Sequence, residues 1–288
     1  MFMPTANLQY KDRLFKLIFG NPENKQWTLS LYNAINGSAY TDPDEIQLTT
    51  IDDVLYLSMR NDVSFLIGDV MNLYEQQSTY NPNMPMRFLI YAGMLYGKYT
   101  TTTETYNRYS STLQKVPAPR CICFYNGTDE RAEKEILHLS DAFDSDGDIE
   151  INVTMLNINY GKNRALMDAC KPLDEYSWFV KKVRDLKEEF DDLGKAVDQA
   201  IDDMPDDFLI KGFVMAHKAE VRNVFLTEYD EAKAIADWKQ DGVDETNQRV
   251  AADMLKENLP LALIERISKL SEAAIRKIAK EINATIVV

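Results

Sequence analysis

The sequence predicts an α/β protein with a helical C-terminal region, on three observations. A two-residue Gly68-Asp69 link separates two apolar β-type runs, strand and helix patterns alternate up to about residue 165, and the periodicity beyond is helical. With 288 residues the chain can bury a sizeable core. The expected division is a core over residues 1–165 and a helical region over 166–288.

Each element has its own signal. Leu8 to Phe19 and Gln26 to Ile35 have helical spacing, with Phe15 and Phe19 four apart on a core-facing stripe. Ile51 to Met59, rich in Val, Leu and Tyr, reads as a first strand. Gly-Asp then closes Val63 to Ile67 against Val70 to Tyr74 as an antiparallel hairpin in which paired positions sum to 137. Ile67 faces Val70, Leu66 faces Met71, Phe65 faces Asn72, and Asp62 faces Glu75 at the open end. Pro85 suits the first turn of a helix from Met86 to about Tyr99, and the polar run Thr100 to Thr105 is expected to break it. Arg120 to Tyr125 is a fourth strand ended by Asn126-Gly127, and Glu150 to Ile158 a fifth.

The remainder reads as helices. Tyr176 to Leu193 places Phe179, Val183, Leu186 and Phe190 on one face, and Phe208 to Asp237 and Val243 to Glu257 continue the style. Leu261 to Lys269 and Glu272 to Asn283 follow, with Ser271 as N-cap of the second. This pair has the order of a helix-turn-helix, although its Leu263, Ile267, Leu270, Ile275, Ile278 pattern is what packing alone gives.

Asp62 and Glu75 are the most informative pair. Directly opposite residues in an antiparallel pair have Cβ atoms about 4.5 to 5.5 Å apart, where like charges repel. Two acids there need solvent, a shared proton or a divalent cation between them. Alternation puts Gln77 on the face of Glu75 and Arg60 on that of Asp62, so Arg60 falls opposite Gln77.

These residues carry a resemblance. Asp62 beginning one strand and Glu75-Gln76-Gln77 ending the next resemble the PD-(D/E)XK nuclease superfamily, specifically its Rpn-like recombination-promoting nuclease and putative transposase branch. Gln77 stands where most of the superfamily has lysine, a form this branch takes. The branch's N-terminal D-x-x-F-K-x-x-F pattern is matched by Asp12 to Phe19, its sequence after the third strand by Gln77 to Arg87 with Tyr91, and its later core strand by Cys123-Phe124-Tyr125-Asn126-Gly127. The resemblance covers roughly Tyr10 to Lys187. It implies a restriction-endonuclease-like core, a mixed central sheet flanked by helices, and metal-dependent cleavage of DNA in recombination, mobile-element transfer or defence.

The same resemblance implies roles. Asp62, Glu75 and the Gln76 carbonyl are expected to hold Mg²⁺, with Mn²⁺ able to substitute and Ca²⁺ binding without turnover. Gln77 is expected to aim the attacking water. Its neutral amide can orient but supplies no charge, which Arg60 is placed to provide. Asp12 is expected to approach the metal from the first helix and Lys16 to face phosphate, unless the two form a surface ion pair. Arg87 and Tyr91 share a helical face and either line the substrate groove or pack on the sheet. The competing class is an inactive nuclease fold serving as a DNA- or protein-binding module.

Composition narrows the rest. Cys121, Cys123 and Cys170 are too few and too irregular for a disulfide framework or a zinc site, and only His138 and His217 are available for imidazole ligation. Asp144, Asp146 and Asp148 lack the glycine position of a calcium loop and read as a turn. No basic-then-apolar leader opens the chain, and the longest apolar stretch, Phe88 to Tyr96, is far below a membrane span of about 20 residues, so a cytoplasmic protein is expected. A net charge of -14 opposes DNA binding, but residues 1–125 hold ten Lys or Arg against eleven Asp or Glu, which leaves the acidity in the C-terminal half. Lys11, Lys16, Arg60, Arg87 and Lys98 are the cations expected near the site, and the C-terminal helices are expected to support a homo-oligomer.

Overall fold

The computed structural model describes residues 14–49, 62–103, 106–107, 109–190, 192–282 and 284–287, with backbone alone over 228–241. Two compact units divide at Leu226/Thr227.

The first unit is built on a six-stranded mixed sheet. Its strands are β1 (Gln47–Leu48), β2 (Val63–Ile67), β3 (Val70–Gln77), β4 (Ala118–Tyr125), β5 (Lys134–His138) and β6 (Asn152–Asn157), in the order β1-β2-β3-β4-β6-β5. β3, β4 and β6 are parallel, and the outer pairings are antiparallel. The β2/β3 hairpin has the expected register, from Ile67 opposite Val70 to Val63 opposite Tyr74. Its turn takes a positive φ of 53° at Gly68 and none at Asp69, the pattern of a type II′ turn, where glycine avoids a Cβ clash.

Helices cover both faces. Parallel β3 and β4 require a crossover, supplied by α3 (Met84–Thr102), which packs Met84, Phe88, Tyr91 and Leu95 against Leu73, Cys123, Tyr125 and Met155. The other face carries α1 (Leu14–Phe19), α2 (Lys25–Asn36), α4 (Arg164–Ala169), α5 (Lys171–Glu189), α6 (Leu193–Asp202) and α7 (Lys211–Ala216) around Phe65, Tyr74 and Phe124. Phe15 and Phe19 are fully buried there. The Phe15 ring centroid lies 4.8 Å from those of Phe19 and Phe124.

Several expectations need correction. The Thr run does not end α3 at Tyr99, because the hydroxyls of Thr101 and Thr102 donate back to the Gly97 and Lys98 carbonyls and stay compatible with the helix. β5 carries no clear sequence signal: it is an edge strand whose Lys134, Glu135 and half-exposed Ile136 lack an apolar alternation. Phe190 ends beyond α5 and is 36% exposed, off the buried stripe of Phe179, Val183 and Leu186. Helices α4 to α7 share one core with the sheet, so the compact division falls well after the expected one at residue 165. The expected strand Ile51 to Met59, and the start of the first helix with Asp12, lie outside the described residues.

The second unit is helical. It contains the C-terminal part of α8 (Lys218–Lys256), then α9 (Leu261–Ser268) and α10 (Glu272–Glu281), around Ala251, Leu255, Leu261, Ile264, Ile275 and Ala279. Ser271 caps α10 as expected, accepting from the Ala274 N–H. Among the described residues no helix is long and apolar enough to cross a membrane.

Candidate functional site

The hairpin's open end meets the carboxyl ends of β3 and β4, and polar residues are buried there. Asp62 is 5% exposed, Glu75 1%, Gln76 2% and Gln77 8%. Such burial needs specific partners, because unpaired polar groups in an apolar setting are costly.

Asp62 finds one on the main chain. Its Oδ2 accepts the Gln76 N–H at 2.6 Å. The Gln77 carbonyl accepts from Asn126 on the β4 side, and alternation therefore turns both main-chain groups of Gln76 the other way, toward the Asp62 edge. The Gln76 carbonyl thus faces the edge that the Asp62 carboxylate occupies.

Glu75 finds its partner on α3. Arg87 Nη2 is 2.5 Å from Glu75 Oε1 and donates also to the Tyr91 hydroxyl at 2.9 Å, and Gln77 Nε2 donates to Glu75 Oε1 at 3.2 Å. Like-charge repulsion between the two acids is therefore relieved by a guanidinium, a solution beyond the three expected from sequence. Burial, followed by the negative charge of Glu75, pushes the Tyr91 phenol up to about 12; Arg87 opposes this and Asp62 adds a smaller push in the same direction. Both carboxylates therefore act on one hydroxyl, which stays protonated at neutral pH and keeps a proton to donate.

Gln76 anchors the opposite face. Its Nε2 donates to Asn126 Oδ1 at 2.6 Å, Asn126 Nδ2 donates to the Tyr176 hydroxyl at 3.2 Å, and Arg184 donates to the Asn126 carbonyl and, at 3.1 Å, to Asn159 Oδ1. This clamp ties β3 to β4 and α5. Gly127 lets the β4 end approach, since a Cβ there would lie 2.5 Å from the Ser78 carbonyl oxygen. Arg131 lies over the Tyr80 ring at 3.3 Å from its centroid, adding a third cation near the strand ends beside Arg87 and Arg184.

The sequence-predicted residues divide into three groups. Asp62, Glu75, Gln76, Gln77, Arg87 and Tyr91 are brought together. Lys16 is half-buried on α1, whose helices pack on the face opposite Arg87, and Lys98 lies on α3 about 16 Å of helix rise beyond Arg87. Lys98 therefore does not belong to the site. Asp12, Lys11 and Arg60 lie outside the described residues. Sequence reasoning misses Asn126, Asn159, Tyr176 and Arg184. Asn126-Gly127 reads in sequence only as a turn, and α5 only as an apolar stripe.

The donor set can be tested against a metal. Two buried carboxylates and a main-chain carbonyl are hard oxygen ligands of the kind Mg²⁺ takes with its remaining waters. Among the described residues no group of three His, Cys, Asp or Glu side chains converges, so the set stops at two carboxylates, and an ion there would compete with or displace Arg87 at Glu75. The residues fit Mg²⁺ or Mn²⁺ chemically on those terms. No protein-family model, curated protein or solved structure matches the chain.

Proposed function

We propose that the chain is a metal-dependent deoxyribonuclease of the PD-(D/E)XK type, in its Rpn-like branch. The observation that supports this best is the meeting of Asp62, Glu75 and the Gln76 main chain at one buried hairpin end, with Gln77 bonded to Glu75. When bound, a divalent ion supplies positive charge at the phosphate and acidifies water.

The chain's own residues divide the remaining work. Asp62, Glu75 and the Gln76 carbonyl would hold the ion, and the Gln76 N–H fixes the Asp62 carboxylate. Gln77 orients the attacking water through its amide. Arg87, released from Glu75, would face the negative charge that grows on the phosphate's non-bridging oxygens, and protonated Tyr91 would donate a hydrogen bond nearby. The hydrolysis places a 5′-phosphate on one fragment and a 3′-hydroxyl on the other.

Plasmid nicking with Mg²⁺ or Mn²⁺ tests the proposal. Asp62→Ala is expected to lower the nicking rate at least about 100-fold, the order seen when a positioned electrostatic group is lost. EDTA is expected to do the same, and nicking that survives both would reject it.

The Glu75–Arg87 pair favours a second reading, a nuclease fold that no longer turns over. In that case the guanidinium permanently replaces the metal. Calorimetry separates the two: heat of binding at millimolar Mg²⁺ or Mn²⁺ supports the enzyme, and its absence supports the inert module.

A further inference from the structure

The second unit ends in a pair of short helices. α9 has 8 residues and α10 has 10, joined by Lys269, Leu270 and Ser271. Lys269 takes the left-handed conformation at φ 57°, which turns the chain sharply between the helices. Ser268 braces the turn, its hydroxyl donating to the Ile264 carbonyl at 2.7 Å and accepting the Leu270 N–H at 3.3 Å.

Packing accounts for most of the apolar residues of this pair, since Leu270 and Ile278 lie against the buried cluster. The stripe it buries is Leu261, Ile264 and Ser268 on α9 with Ile275 and Ala279 on α10, whereas Ile267, expected inside, is 50% exposed. α10 turns a second stripe outward. Ala273, Arg276, Lys277 and Lys280, at i, i+3, i+4 and i+7, are all exposed, and so are Arg266 and Lys269 on the preceding helix and turn.

The exposed groups of the pair are mostly cations, with Glu272 and Glu281 the exposed acids of α10. Residues 260–288 hold five Lys or Arg and three Glu, a net of +2 in a protein of -14. Arg276 pairs with Glu272 at 2.6 Å, but both are half exposed, and such pairs are readily exchanged for a stronger anion.

We infer that α9 and α10 form a helix-turn-helix that docks on duplex DNA, with α10 as the helix that enters the major groove. A ten-residue helix is about 15 Å long and 10 to 12 Å wide, which matches a groove about 12 Å wide. Arg276, Lys277 and Lys280 supply the phosphate and guanine contacts, and the small Ala273 allows close approach and apolar contact with a thymine methyl. Arg266 and Lys269 meet the flanking backbone.

Fluorescence anisotropy of the full chain with a labelled 30-base-pair duplex in EDTA tests this independently of cleavage. Wild type is expected to bind at low salt. Arg276→Ala/Lys277→Ala/Lys280→Ala, which preserves helix propensity, is expected to bind at least about 30-fold more weakly, with a log-log salt slope shallower by about 2 to 3, near 0.9 for each phosphate no longer neutralised. EDTA keeps the metal site out of the measurement, so a failure of the nuclease proposal leaves this result unchanged. An unaltered affinity and slope in the triple variant with unchanged circular dichroism, no duplex binding by wild type at low salt, or equal competition by an RNA duplex, whose major groove excludes a helix, would each overturn it.

Discussion

Removing the carboxylate of Glu75 while keeping Arg87 leaves a guanidinium aimed into a site where its partner was 1% exposed. Breaking a fully buried ion pair from one side costs about 3 to 5 kcal/mol. Arg87 retains 23% of its exposure and its bond to Tyr91, so solvent offsets part of that loss, and Glu75→Ala is expected to cost about 2 to 3 kcal/mol. Arg87→Met should cost a similar amount by removing the guanidinium that Glu75 binds. The double variant removes both charges, so it should be more stable than the sum of the singles predicts by about 2 kcal/mol. Urea denaturation in metal-free buffer measures the cycle. A coupling below about 0.5 kcal/mol would refute the argument that the guanidinium holds the acid pair together. The nuclease proposal adds a second readout, because Arg87→Met removes the cation that competes for Glu75. Mg²⁺ should then raise the melting temperature of that variant more than that of wild type.

Two further predictions concern the frame around the site. Gly127→Ala forces a Cβ to within 2.5 Å of the Ser78 carbonyl oxygen and 2.6 Å of the Tyr125 ring, so it should destabilise the protein by about 1 to 3 kcal/mol in urea titration, and a neutral result would mean the β4 end can move away freely. Glu175 on α5 is buried and accepts the Ile210 N–H at 3.1 Å; desolvation holds its carboxyl above the ordinary range, opposed by bonds from Leu209 and Ile210. The raised value disfavours the ionised acid in the folded state, so stability is fully present below the unfolded pKa and falls as pH rises through the folded one. Glu175→Gln keeps the acceptor without the charge, and its melting temperature should exceed wild type at pH 7 and converge with it near pH 4.

The hairpin is legible because a two-residue Gly-Asp turn admits one register, and that register carries Asp62 to the level of Glu75. Phe15 and Phe19, four apart, and Ser271 before α10 are legible for the same reason: a local spacing with one good structural solution. Arg87 as the partner of Glu75 is not, because the pairing depends on where α3 crosses the sheet, and a basic residue on a helix face reads equally as groove or surface. Asn126 is hidden inside a turn dipeptide whose glycine explains it sufficiently. The buried stripe of α9 misleads in sequence because Leu263 and Ile267 are more apolar than Ser268, yet Ser268 satisfies its own hydroxyl within the helix and fits the tight contact.

The clamp behind Gln76 joins residues far apart along the chain: 50 positions separate Gln76 from Asn126 and Asn126 from Tyr176, and 58 separate Asn126 from Arg184. Contacts of that span require large loops to close, which costs entropy. The turn that levels the two acids is local, whereas the clamp on the Gln76 side chain is complete only when α5 is docked. A fragment ending before Tyr176 would hold every acid of the hairpin and still lack the rigidity to aim them.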